Sequence, residues 1–135
     1  MVRAEAARRR GGAFSELMRV HIRVLDSPIA RSELQAIAEA SIFEDMVKAV
    51  VDIERGIIAI GGELHADEEK VLLETGSAQQ NLWGINLYPN LHGDAMVEFD
   101  SMINVRPTQG NRSRSVDDLA TQTKILKVVR HLVRN

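Results

Sequence analysis

Runs in which apolar side chains recur at every second position constrain this chain more than any other feature. Val20, Ile22 and Val24 alternate with Arg19, His21 and Arg23. Val47, Ala49, Val51 and Ile53 alternate with Lys48, Val50, Asp52 and Glu54. Trp83, Ile85 and Leu87 oppose Asn86 and Tyr88, and Val97, Phe99, Ile103 and Val105 oppose Glu98, Asp100, Asn104 and Arg106. A strand sends successive side chains to opposite faces, so each run predicts a strand with one apolar side. Glu54-Arg55-Gly56 then turns the chain into Ile57–Ile60, and "PNLHGD" links the two later runs. Short turns between strands mean hairpins, hence antiparallel pairing.

Between these runs the period changes to that of a helix. Ser32 and Gln35 have the spacing of a capping box, and Leu34, Ile37 and Ala38 form a stripe, predicting a helix over Ser32–Ala40. "HADEEKVLLETGS" crowds acids at its start and places Gly76 just past its end, which predicts a short acidic helix. Val116–Val133 carries Leu119, Leu126, Val129 and Val133 on one side, with Asp117 and Asp118 first and Lys127, Arg130 and Arg134 last. The expected fold is therefore α+β: an antiparallel sheet of four to five strands built from hairpins, with about three helices covering one face. Residues 1–18, with Arg8-Arg9-Arg10 and Gly11-Gly12, are expected to be a flexible N-terminal extension, and 19–135 a single α+β domain. No long apolar stretch follows the arginines, so the start does not read as a secretory signal. A targeting or nucleic-acid arm is the sharper alternative for that leader.

Composition narrows the function classes. A net charge of -2 argues against binding nucleic acid through bulk charge. No apolar run approaches the roughly 18 residues of a membrane span, so no membrane association is expected. The chain has no cysteine, which removes disulfides, thiolate catalysis and thiolate metal sites and fits a cytoplasmic setting. No cofactor is expected.

If helices cover the apolar face, the other gathers Asp52, Glu54, Asn86, Tyr88, Glu98, Asp100, Asn104 and Arg106, either simply wet or converging on a ligand. Beside it runs "RPTQGNRSRS". Pro107 stops pairing, Gly110 allows a positive φ, and Arg112 and Arg114 precede a helix start. Arg106, Gln109, Asn111, Arg112 and Arg114 are the candidate anion-binding residues, because guanidinium forks and free backbone N–H groups suit carboxylate or phosphate. The plainer alternative has Ser115 and Asp118 capping the helix while the arginines pair with Glu98, Asp100 or Asp117. His65, flanked by Glu63 and Asp67, is the candidate general base, with Glu63, Asp67 or Asp100 orienting it or holding a divalent metal and Arg106 or Arg112 stabilising developing negative charge. One His and two carboxylates do not complete a metal site, so no metal is expected. Trp83 reads as core.

Three stretches, "MVKAVVDIERGIIAIGGELHADEEKVLLETGS", "NLWGINLYPN" and "EFDSMINVRPTQGNRSR", together resemble a family of small bacterial proteins classed only as a domain of unknown function. The likeness runs from about Ser27 to the C-terminus, and Ser115 stands where such proteins are expected to have Gly. The resemblance implies a bacterial cytosolic protein and brings no activity, cofactor or catalytic residue. The function expected is a non-catalytic binding or interaction module for an anionic small molecule or a protein partner. The alternative is a small hydrolase or nuclease using His65 with neighbouring carboxylates, so whether the chain is an enzyme stays open. Exposed strand edges also make a homo-oligomer an expectation.

Overall fold

The structure, a computed structural model, describes residues 21–135. Strand β1 (Arg23–Leu25) is followed by β2 (Ile29–Ala30), helix α1 (Arg31–Ala40), β3 (Val47–Asp52) and β4 (Ile57–Ile60). Helix α2 (His65–Glu74), β5 (Leu82–Leu87), β6 (Val97–Glu98), α3 (Leu119–Leu132) and β7 (Val133–Arg134) complete the order. The five-stranded sheet runs β1-β4-β3-β5-β6 with every neighbour antiparallel. The α+β class, the antiparallel hairpins and the three helices agree with the sequence reading. A parallel pairing of β2 with β7, Ile29 opposite Val133, was not foreseen; it ties the end of α3 back to the start of α1.

The β3–β4 hairpin turns where expected. Asp52 Oδ1 accepts from the N–H groups of Glu54 and Arg55, both at 2.9 Å, and Gly56 takes a φ of +67° that a side chain would resist. Helix α1 starts one residue earlier than predicted, and its capping box is absent: no side chain caps it, and Gln35 bonds Glu39 instead. Helix α2 ends as the sequence promised. Ser77 N–H reaches Leu72 O and Gly76 N–H reaches Leu73 O, a paired closure that satisfies the last carbonyls around a left-handed glycine. Helix α3 begins at Leu119, capped by Asp118, whose Oδ2 accepts from Thr121 N–H; Ser115 caps nothing.

The helices divide between the two faces of the sheet rather than crowding onto one. On the first face, Val47, Ala49, Val51, Ile58, Ile60, Ile85 and Leu87 pack against Leu34 and Ala38 of α1 and Ile125, Val129 and Leu132 of α3. On the second, Val50, Ile57, Ala59 and Leu82 meet Leu72 of α2, with Ile103 beside them. The sequence carries the reason: "AVV" and "IIAI" are continuous apolar runs, the mark of a strand buried on both sides. Accordingly Asp52, Asn86 and Asn104, expected to face water, are buried, while Glu54 and Glu98 are exposed. The predicted final strand also stops early. After Glu98 the chain leaves the sheet for short 3-10 turns at Met102–Asn104 and Pro107–Gln109. Ile103 therefore packs on the second face, whereas Val97 and Phe99 pack on the first. The predicted strand residues Arg19 and Val20 and the predicted extension 1–18 lie outside the described residues.

Candidate functional site

The loop that carries the predicted anion residues is bound to β5 by side chains. Gly84 lacks a Cβ, and one added there would stand 2.5 Å from Ser101 Cβ and Oγ, so only glycine lets this segment lie so close. Asn104 uses that space. Its Oδ1 accepts from Gly84 N–H at 2.8 Å and its Nδ2 donates to Gly84 O at 2.9 Å, so one side-chain amide replaces a strand partner. Asn111 holds the next turn. Its Nδ2 donates to the carbonyls of Asn104, Ser113 and Ser115, and its Oδ1 accepts from Asp117 N–H. Arg106 and Asn111 also pair through their main chains.

The candidate residues thus share one loop but not one role. Arg106 donates to Gln79 O and Leu82 O, contacts Gln109 Oε1, and lies 4.2 Å from the centroid of the Trp83 ring. Gln109 Nε2 donates to Gln80 O at 2.8 Å, so both residues clamp the loop to the segment before β5. Asn111 is buried and fully used within the loop. Arg114 pairs with Asp100 at 2.6 Å, as the plainer alternative anticipated. The Arg112 side chain is exposed and, among the described residues, has no hydrogen-bond or ion-pair partner. Its N–H donates to Asp117 Oδ2 and the Ser113 hydroxyl donates to Asp117 Oδ1, so a carboxylate of the chain already occupies the backbone donors.

His65, the first residue of α2, lies over the second face beside Ile85 and Asn86. Its Nε2 is 2.8 Å from Ile85 O, so a ring N–H there donates to the carbonyl. Burial, partly offset by that bond, lowers its pKa to about 4. Asp100 is near enough to favour the charged ring, and Lys48 opposes it. Next to it, Asn86 Nδ2 donates to Glu98 Oε1 and Asp100 O, and the Tyr88 hydroxyl donates to the same Glu98 oxygen. The structure therefore brings His65, Asp100 and the Arg114 end of the loop into one neighbourhood. Glu63 is exposed and lines a different cleft with Lys48. Among the described residues no three His, Asp or Glu side chains group closely enough to hold a metal ion.

Sequence reasoning missed two groups. Glu68 is wholly buried under α2; its Oε2 accepts from Gly62 N–H at 2.9 Å, and burial drives its pKa well above the usual carboxylate value. It was read only as a first-turn acid, and nothing in "HADEE" distinguishes the inward acid from its neighbours. Lys124, Lys127 and His131, at helical spacing on α3, line a groove of about 440 Å³ with Arg55. That spacing was visible, but the approach of Arg55 from the hairpin turn was not.

A small α+β protein whose sheet is dressed on both sides, with an arginine-bearing loop bonded to β5, is the class this architecture defines. Among the described residues no helix is long and apolar enough to cross a membrane. The chain belongs to the family described as "Protein of unknown function (DUF5674)", whose sequence model matches residues 23–132. No curated protein and no solved structure matches it.

Proposed function

We propose that the chain is a non-catalytic cytoplasmic binding module that receives an anionic small molecule, such as a phosphate ester, at the corner formed by Arg112 and Arg114. The observation supporting this reading is the contrast inside one loop. Buried Asn104 and Asn111 fix its backbone, while the exposed Arg112 guanidinium has no partner among the described residues. A merely solvated connection needs no such bracing. Arg114 stands two residues away in an ion pair exposed on both sides, which an incoming anion can exchange at little cost. Because Asp117 fills the backbone donors, the ligand would be held by guanidinium forks rather than by main-chain N–H groups. His65, neutral and with a pKa of about 4, is a weak base near neutral pH, which favours binding over hydrolysis.

Thermal shift with inorganic phosphate, nucleoside phosphates and simple carboxylates tests the reading. Dose-dependent stabilisation by a phosphate-bearing compound is expected, with apparent affinity falling at least about tenfold in an Arg112→Ala/Arg114→Ala variant. Absence of stabilisation, or equal stabilisation of wild type and variant, overturns it.

A further inference from the structure

A second cleft, separate from the arginine corner, has the walls and the charge of a ligand pocket. It has a volume of about 390 Å³ and lies between the end of α1, the start of β3 and the Gly61-Gly62-Glu63 segment after β4. Ile37, Ala40, Ile42, Phe43, Met46 and Val47 give it apolar walls. The turn bearing Phe43 is held by Ser41, whose hydroxyl donates to Ala38 O at 2.7 Å and accepts from Phe43 N–H at 3.2 Å. Glu44 beyond it takes a left-handed φ of 66°, a conformation that side chains rarely adopt without surrounding constraint.

Lys48 lies at the polar end. It is half-buried, and its ammonium sits 5.3 Å from the centroid of the Phe43 ring. Among the described residues it has no hydrogen-bond or ion-pair partner. The buried acid nearby, Glu68, makes no ion pair with it: burial, which outweighs the Gly62 hydrogen bond and the Lys48 charge, pushes its pKa up toward the neutral form. An ammonium partly withdrawn from water, with three donors and an aromatic ring beside it, favours an anion within reach. Apolar walls beside an ammonium suit a ligand that carries both a hydrocarbon part and an anionic group.

We propose that this cleft binds a small amphipathic monocarboxylate, its hydrocarbon part against Ile37, Phe43 and Met46 and its carboxylate on the Lys48 ammonium. The tail supplies affinity by leaving water, and the charge pair sets orientation and excludes neutral or cationic analogues. Glu63 also lines the cleft, and its charge repels a dianion more strongly than a monoanion.

Octanoate is the probe, with octanol and octylamine as controls, and backbone amide NMR shifts of the full chain as the readout. Octanoate is expected to shift Phe43, Lys48, Gly61 and Gly62 saturably, with octanol and octylamine at least about tenfold weaker. Lys48→Met should weaken octanoate about tenfold or more while leaving octanol unchanged. Ala40→Phe, which adds bulk to the wall of the cleft, should abolish both. The Arg112→Ala/Arg114→Ala variant should bind octanoate as wild type does, so failure at one site is distinguishable from failure at the other. Octanoate that causes no saturable shift, that binds no better than octanol, or that is indifferent to Lys48→Met in a folded protein overturns the proposal.

Discussion

Asn104 shows how much of this fold rests on single side chains. Its amide makes three bonds, to Gly84 N–H, Gly84 O and Arg114 O, and is completely buried. Removing it leaves Gly84 N–H and Gly84 O without these partners, while Arg114 O keeps the Ser101 N–H; each lost partner is worth about 1 kcal/mol or more. Asn104→Ala should therefore destabilise the protein by about 2 kcal/mol or more, read as a lower urea midpoint. Gly84→Ala should cost a comparable about 2–3 kcal/mol by driving a methyl into Ser101. From the sequence, Asn104 was expected to face water, because alternation was counted on from Glu98 as though the strand continued. The chain departs at Glu98, and parity has no meaning beyond that point. The Arg106 contacts were hidden for a related reason: they go to carbonyls of Gln79 and Leu82, which leave no mark in a side-chain pattern.

At the scale of elements, termini explain both the agreements and the misses. The end of α2 was legible because a left-handed residue is a local demand that glycine answers; Gly76 has a φ of +105°. Gly76→Ala has open space around its new methyl, so its cost is conformational, about 1–2 kcal/mol by thermal or urea unfolding. The start of α3 was misread because Ser115 and Asp118 are both good caps, and choosing between them requires knowing where Asn111 pulls the chain. Asn111 takes the carbonyl of Ser115 and the N–H of Asp117, keeping that stretch extended and postponing the helix. The β3–β4 hairpin was readable to within two residues: the alternation was carried to Glu54, but Asp52 ends the strand and, with Gly56, shapes the turn within its own segment.

For the whole molecule, the two-sided sheet buries ionisable groups of opposite sign, and stability should register both. His65 has a folded pKa of about 4 against 6.5 when free, so the unfolded chain binds the extra proton first as pH falls. Its contribution, about 3 kcal/mol, is complete above pH 6.5 and is lost on the way down to about 4. Glu68 is raised, so it works in reverse: its contribution is present below its unfolded value of 4.5 and is lost as pH rises through its folded pKa. Urea unfolding across pH 4–8 should therefore show a sharper acid-side fall in Glu68→Gln than in wild type, and a weaker one in His65→Gln. The α+β class and the antiparallel pairing were visible in the alternation, but the second covered face was under-read because "AVV" was sorted by parity when both parities are apolar, and "IIAI" was given no faces. The arginine-bearing stretch was expected to leave the sheet only after Arg106, whereas the chain leaves it at Glu98, and its internal bracing depends on contacts between segments far apart in the chain. That bracing has a consequence beyond the loop. With the Asn104 amide seated on Gly84 and Arg106 on the Leu82 carbonyl, this margin of β5 offers no vacant backbone groups to a foreign strand, so fibrous stacking or insertion of an extended peptide there would first have to evict part of the protein itself.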